Sequence, residues 1–321
     1  MNEAYLGPQS DQKYIVTYLE NIRQLDPIEI VTLPNPIRLA DAPHISEIVD
    51  INRFWEIVNG CIAECKRHYS VTIYPPKTDR CYIARPPEID ALGGFHDPRS
   101  LGYQYWYHAS FVVTLNEWWV SKNLRTVELV RNFLHDCFHH STFRSFRRAI
   151  RIPTKSPSVA KHRVPEVYRE QYGINFRNQD GLSYSSPELT LHSPETINLN
   201  LLMDGVIVLV VAELMKTVIG DITAYTSGHE EKEVTKEIFL EPFDASILTR
   251  AHYLYKSVTE PTRKFVEHWG GKSLTTLVLK AMMSGKLTDL KHLFEERNNS
   301  KHAWEKMFKR PEFSLPMNPE V

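Results

Sequence analysis

The hexapeptide His135-Asp136-Cys137-Phe138-His139-His140 closes the stretch of sequence that decides the fold of this chain. Residues 124–138 carry apolar side chains at helical intervals, namely Leu124, Val127, Leu129, Val130, Phe133 and Leu134. This period predicts an amphipathic helix. Residues four apart share one face of a helix, so we expect His135 and His139 to point the same way. Two imidazoles in that arrangement can ligate one metal ion.

A structural or partner-binding histidine cluster is the alternative to a metal site. A chain with 14 histidines can place two of them four apart by chance. Three histidines and an aspartate within six residues, at the end of an apolar helix, nevertheless favour the metal. The reason is that burying an ionisable group is costly unless the group is paired or bound to a metal.

The composition of the chain limits the classes of protein to which it can belong. With 321 residues and 42% hydrophobic content, the chain has ample material for a globular core. Its net charge of −1 argues against a nucleic-acid-binding protein. Residues 1–12 lack a signal pattern, and the longest apolar stretch, Val206–Ala212, is too short to span a bilayer. Four cysteines without a C-x-x-C pair predict a reducing compartment, so we expect a cytoplasmic protein with no membrane partner. Export by a route without a cleavable signal stays open.

The order of predicted elements indicates an α+β fold in three regions. Residues 1–69 read as a helical region, with a helix from Asp41 or Ser46 to about His68. Residues 70–200 hold short strands, the histidine helix and a long basic loop. Predicted strands in this region are Ser70–Tyr74, Cys81–Ala84 and part of Tyr103–Trp119, with candidate hairpin strands around Ile174–Phe176 and Leu182–Tyr184. Residues 201–321 return to a helical pattern, interrupted at Gly270-Gly271 and Gly285.

Over residues 70–295 the chain resembles the zincin-type metallopeptidases, whose motif is H-E-x-x-H. The resemblance rests on His135-Asp136-x-x-His139, on the strand-like Val112–Asn116 before it, and on Leu202-Met203-Asp204-Gly205-Val206 after it. In that family an edge strand precedes the active-site helix, and a second helix starting with a Glu-Gly pair brings the third ligand. The resemblance therefore implies a small mixed sheet packed on an active-site helix, followed by a mainly helical C-terminal lobe. It also implies a zinc ion held by His135, His139 and Asp204.

What the resemblance implies for function is a zinc-dependent metalloprotease, a hydrolase that cleaves a peptide or related amide bond. Asp136 stands where the family has the glutamate that accepts a proton from the metal-bound water. Asp136 is shorter by about 1.5 Å, and proton transfer works only near hydrogen-bonding distance. A catalytically inactive metal-binding or interaction protein is therefore an alternative.

The third ligand has a second candidate in Glu213. It lies nine residues after Asp204, which is two and a half helical turns, so the two carboxylates face opposite sides of a helix. They cannot easily share one metal ion, and we expect Asp204 to be the ligand.

A further alternative is similar to the HD phosphohydrolases. That family pairs a lone histidine with a His-Asp dipeptide and a distant aspartate, a set that His108, His135, Asp136 and either Asp204 or Asp221 would supply. The family needs a helix over residues 108–120. The Trp, Tyr, Val and Thr content there predicts a strand instead.

A basic segment follows the histidine helix. Between Ser141 and Pro165 the chain has seven cations and no acid, namely Arg144, Arg147, Arg148, Arg151, Lys155, Lys161 and Arg163. Such a segment near a metal site can receive a carboxylate or phosphate of the substrate, although a solvated loop is its usual explanation. We therefore expect a peptide or protein substrate, with acidic groups if the segment binds it.

Overall fold

The computed structural model describes residues 2–24, 37–84, 111–114, 121–148, 167–176, 199–220, 228, 232–233, 236, 238–241, 253–301 and 303–304. Its elements in chain order are β1 (Glu3–Leu6), α1 (Gln9–Gln24), β2 (Ile37–Arg38), α2 (Ala42–Ile48), α3 (Ile51–Tyr69), β3 (Cys81–Ala84), β4 (Phe111–Thr114), α4 (Lys122–Ser141), β5 (Arg144–Arg148), β6 (Val167–Tyr172), β7 (Asn175–Phe176), α5 (Asn200–Ile219), α6 (Tyr253–His268), α7 (Lys272–Ser284) and α8 (Thr288–Arg297). Helices and short strands are mixed, and helices predominate among these residues.

The chain divides into two compact units, and both are discontinuous in sequence. The first comprises residues 1–20, 142–206 and 257–321, and the second comprises residues 21–141 and 207–256. The division falls within α5, which is nevertheless one unbroken helix from Asn200 to Ile219. None of the helices given above combines the length and the apolar character that crossing a membrane requires.

The first unit contains a four-stranded mixed sheet in the order β1-β5-β6-β7. Strand β1 runs parallel to β5, and the other two pairings are antiparallel, with an irregularity between Ser145 and Phe146. Aromatic side chains join the α6 and α8 regions: Phe265 of α6 lies 5.9 Å from Phe294 of α8, and Trp269, directly after α6, lies 4.8 Å from Phe294, both between ring centroids. Gly271 and Gly285 bound α7 with positive φ angles of 56° and 71°, a conformation that glycine adopts at little cost.

The second unit contains the histidine helix. Strands β2, β3 and β4 form a three-stranded sheet in that order, and β4 pairs with β3 in parallel. Helix α3 packs on α4 through edge-to-face contacts of Phe54 and Trp55 with Phe133. Gly60 of α3 lies close to α5, since a Cβ there would stand 2.8 Å from Val218 Cγ1.

Several predicted elements are confirmed by these bounds. The histidine helix spans Lys122–Ser141, and a strand covers Phe111–Thr114, the described part of the predicted Tyr103–Trp119 strand region. The strand at Cys81–Ala84 and the helical C-terminal region are also present.

The predicted strand at Ser70–Tyr74 is wrong. Ser70 ends α3 in the left-handed conformation, with φ 55° and ψ 33°, and residues 71–77 form no strand. The Tyr74 backbone bonds to a side chain instead of a neighbouring strand. Its N–H donates to Ser141 Oγ at 2.7 Å.

The helix predicted from residue 41 or 46 to residue 68 is two helices. Val49 is extended, and Asp50 caps α3 by accepting a hydrogen bond from the Arg53 backbone N–H at 3.1 Å. Aspartate favours this role because its carboxylate satisfies a backbone donor that has no partner within the helix.

The basic segment starts as a strand, β5, whose arginines face acids of the same unit. Arg147 pairs with Glu170, and Arg148 lies 3.1 Å from Asp11. Arg144 is 1% exposed and stands 4.0 Å from Glu3. The remaining cations of the segment, residues 151–163, lie outside the described residues. Each of the three arginines of β5 thus has an acidic partner within its unit, and a role in substrate binding gains no support from them.

Candidate metal site

Helix α4 is anchored at both ends. Near its start, Lys122 and Arg125 donate to the backbone carbonyls of Ser46 and Ile48 at the end of α2. At its last residue, Ser141 Oγ donates to the Cys137 carbonyl and also receives the Tyr74 N–H. These contacts fix the direction of the face that carries the histidines.

His135 and His139 lie together on that face, as their spacing predicts. Their Nε2 atoms are 2.9 Å apart, and the ring centroids are 4.6 Å apart with an interplanar angle of 62°. His139 is buried, at 9% exposure, and His135 is half-buried. Two nitrogens at this distance share one proton in a hydrogen bond, with one ring donating and the other accepting.

Asp204 lies near the two histidines. One ligand atom from each of the three side chains falls within 4.8 Å of the other two. Asp204 is half-buried on the second turn of α5. The structure therefore brings together the three residues named from the sequence as ligands.

Gly205 allows α6 to approach the first turns of α5. A Cβ built at Gly205 would lie 2.7 Å from Thr262 Cβ, closer than real side-chain carbons approach. Thr262 itself is fully buried. Only a residue without a side chain fits there at this separation of α5 and α6.

The donor set suits zinc. Two imidazoles and a carboxylate are a ligand combination that catalytic zinc sites use, with a fourth position left for water. Tetrahedral zinc with bonds of about 2.0–2.1 Å separates two ligand atoms by about 3.3 Å. The histidine nitrogens, 2.9 Å apart, need to separate by only a few tenths of an ångström to reach this distance.

Asp136 lies between the two histidines in sequence and is half-buried. Burial raises the pKa of its carboxyl to about 7, and the positive charge of His139 opposes this rise. The neighbouring Cys137 is fully buried, as expected for a residue facing away from the histidines. Burial also raises the pKa of its thiol, with smaller effects from Cys81 and Asp136.

Glu213 is placed elsewhere. Its carboxylate accepts a hydrogen bond from the Tyr69 hydroxyl at 2.5 Å. Burial, followed by this bond, raises the pKa of Tyr69. Nine residues span about 13 Å along a helix, so Glu213 lies well away from Asp204 along α5. The bond to Tyr69, which ties α3 to α5, was not expected from the sequence.

The described residues do not form the helix that distinguishes the HD alternative. Residues 111–114 form strand β4, whereas that family requires a helix over 108–120. His108 and Asp221 lie outside the described residues.

An accessible strip along α4 was missed in the sequence. Between residues 126 and 141 only four side chains keep intermediate exposure, namely Arg131, Asn132, His135 and Asp136, and all others are buried. We call these four residues the accessible strip. Helical spacing could have predicted this strip from the sequence, because Arg131 lies one turn before His135 on the same face.

No family model, no curated protein and no solved structure matches this chain.

Proposed function

We propose that this protein is a zinc-dependent hydrolase that cleaves a peptide or related amide bond. The observation that supports this is the grouping of His135, His139 and Asp204, with ligand atoms within 4.8 Å of one another. Two of these residues come from one helix face, and the third comes from a helix that begins about 60 residues later in the chain. The zincin-like architecture remains part of the proposal.

In this proposal each residue has one role. His135, His139 and Asp204 hold the zinc ion. Zinc in such a site polarises a carbonyl and lowers the pKa of a bound water molecule to about 7. Asp136 follows His135 directly and would be the carboxylate that takes up a proton from the attacking water.

Metal analysis of the purified protein tests the ligands. We expect about one zinc ion per chain in the wild type and loss of the metal in His139→Ala, because removing one of three ligands abolishes tight binding. His44→Ala is the control, since that side chain is 66% exposed on α2. Full zinc stoichiometry in His139→Ala would rule out this site.

A second pair of variants tests which of the two carboxylates of α5 is the third metal ligand. Asp204→Asn should lose zinc, whereas Glu213→Gln should keep it because Glu213 bonds to Tyr69. The reverse result would make Glu213 the third ligand.

Asp136→Asn tests catalysis. We expect zinc to stay bound and cleavage of a set of fluorescence-quenched peptides to fall by roughly 10²–10⁴-fold, the usual contribution of a general base. Loss of the metal would instead make Asp136 a ligand. A zinc-loaded wild type without cleavage of any peptide would support the inactive metal-binding alternative.

A further inference from the structure

The start of α5 is held by a side chain from outside the helix. The Leu199 carbonyl accepts the first bond of the helix, from the Met203 N–H at 3.0 Å. The N–H of a residue in this position has no acceptor within its own helix. In this structure the Leu199 N–H donates to Oδ1 of Asn175 in β7 at 3.1 Å, and both residues are fully buried. Asn175 thus supplies the polar partner that a leucine side chain cannot provide at a helix start.

The same amide group also contacts the residue directly before Asp204. Asn175 Nδ2 lies 3.9 Å from Met203 Sδ, a weak contact because a thioether is a poor acceptor. Met203 is 1% exposed. The two polar atoms of Asn175 therefore meet two residues four apart, Leu199 and Met203, which lie on one face of α5.

The turn between β6 and β7 fixes the strand that carries this asparagine. Gly173 has a positive φ of 57°, and its N–H donates to the Phe143 carbonyl at 2.8 Å. Its carbonyl accepts a hydrogen bond from Gln171 Nε2 at 2.9 Å. A Cβ built at Gly173 would lie 3.0 Å from Met203 Sδ, so the turn packs closely against the start of α5.

Asp204 therefore stands between two neighbours that are both packed within one unit. Met203 contacts Asn175 and the turn before β7, and Gly205 faces Thr262 of α6. All these residues belong to the unit made of residues 1–20, 142–206 and 257–321. The backbone at Asp204 can shift only if one of these contacts changes.

We propose that Asn175 is a positioning residue for the zinc ligand Asp204. It touches neither metal nor substrate, and it acts by holding the first turn of α5 through Leu199 and Met203. This inference rests on the ligand set of the proposed function. Residues that orient a metal ligand typically contribute about 10- to 100-fold to metal affinity.

Zinc affinity, measured by competition with a chromophoric chelator, tests the proposal without any assay of activity. Asn175→Leu is similar in shape and removes both polar atoms, so we expect affinity to fall about 10- to 100-fold. Asn175→Asp should restore most of the affinity, because a carboxylate accepts the same N–H and is favoured near a helix N-terminus.

Asn298→Leu is the matched control. The Asn298 side chain also donates to the backbone at one end of a helix in the same unit, since its Nδ2 lies 2.8 Å from the Phe294 carbonyl of α8. This variant should bind zinc as the wild type does. All affinities are measured on protein that circular dichroism shows to be folded. Asn175→Ser, whose hydroxyl is one bond shorter than the amide, replaces Asn175→Leu if that variant does not fold.

A double-mutant cycle separates positioning from a general effect on the protein. Asp204→Asn removes the ligand, and zinc titration measures the weak affinity that the two histidines retain. Since Asn175 acts through Asp204, adding Asn175→Leu to this variant should change the residual affinity by less than about twofold. An equal loss in both backgrounds would overturn the proposal.

The remaining outcomes distinguish the proposal from the proposed function. Wild-type affinity in Asn175→Leu would overturn the role of Asn175 and leave a zinc-dependent hydrolase in place, as would a loss that Asn175→Asp does not restore. A wild type that binds zinc and loses it in Asn175→Leu, but cleaves no peptide, would remove the hydrolase and leave the positioning role. A wild type that binds no zinc would overturn both.

Discussion

Asp204 and Gly205 show how two adjacent residues serve different purposes. A carboxylate oxygen of Asp204 lies within 4.8 Å of a ring nitrogen of each histidine, and the missing side chain of Gly205 admits Thr262 of α6. The family resemblance pointed to both residues as a pair. Only the structure gives the glycine a physical reason, which is the close approach of two helices.

Gly205→Ala should therefore destabilise the protein. The new Cβ would stand 2.7 Å from Thr262 Cβ, and overpacking of this kind costs about 1–3 kcal/mol. The gain of about 1 kcal/mol from alanine's higher helix propensity offsets part of this cost. We expect a net loss in the free energy of unfolding, measured by urea denaturation, and a weaker affinity for zinc because Asp204 shifts.

Gly228→Ala is the control for that experiment, since a Cβ at Gly228 would meet no atom of the described residues within 4 Å. A Gly205→Ala protein as stable as the wild type would mean that α5 and α6 can separate at no cost.

At the scale of elements, the sequence predicts best those helices and strands that have a local pattern of apolar or β-branched residues. The apolar spacing of residues 124–138 and the β-branched run at 111–114 each depend on near neighbours, and both elements are present. The pairing of β1 with β5 is different. It joins Glu3 to Arg144 across about 140 residues, and no local pattern indicates such a partner.

The candidate site follows the same rule. His135 and His139 can be paired from the sequence because one helix fixes their spacing. Asp204 came only from a family resemblance, since its position depends on how α5 packs. Glu213 was the alternative to Asp204. Its hydrogen-bond partner, Tyr69, lies 144 residues away in the sequence. Long-range contacts of this kind leave no periodic signal in a sequence.

The junction between α2 and α3 depends on a hydroxyl of α4. Thr126 is 2% exposed, and its Oγ1 accepts the Asp50 backbone N–H at 2.9 Å while donating to the Lys122 carbonyl at 2.8 Å. Thr126→Val keeps the shape and leaves the Asp50 N–H without this acceptor. We expect a loss of about 0.5–1.5 kcal/mol in the free energy of unfolding, the net contribution of a typical hydrogen bond.

Thr276→Val is the matched control for Thr126→Val. Thr276 also donates to the carbonyl four residues earlier, Lys272, but its hydroxyl is on an exposed part of α7. Chemical denaturation of both variants should show a much smaller loss for Thr276→Val. Equal losses would mean that the contact with Asp50 contributes nothing.

At the scale of the whole molecule, the four cysteines report on the opening of one unit. Cys61, Cys65, Cys81 and Cys137 are free and buried, and all belong to residues 21–141. Burial raises the pKa of the Cys61 and Cys65 thiols to about 12. Since the thiolate is the reactive form, a thiol reagent at pH 8 should modify these residues only after this unit opens.

Zinc should slow that modification, because Cys137 lies between His135 and His139 and α4 cannot open without breaking the metal site. A ligand that binds only the folded state stabilises it by RT ln(1 + [L]/Kd), about 2.7 kcal/mol when zinc is present at 100 times its Kd. We expect labelling by a thiol reagent to be about 100-fold slower with zinc than with a chelator, because 2.7 kcal/mol corresponds to that ratio. His139→Ala should show no such difference. Equal labelling with and without zinc in the wild type, or an equal slowing in His139→Ala, would mean that the histidine face of α4 holds no metal in the folded protein.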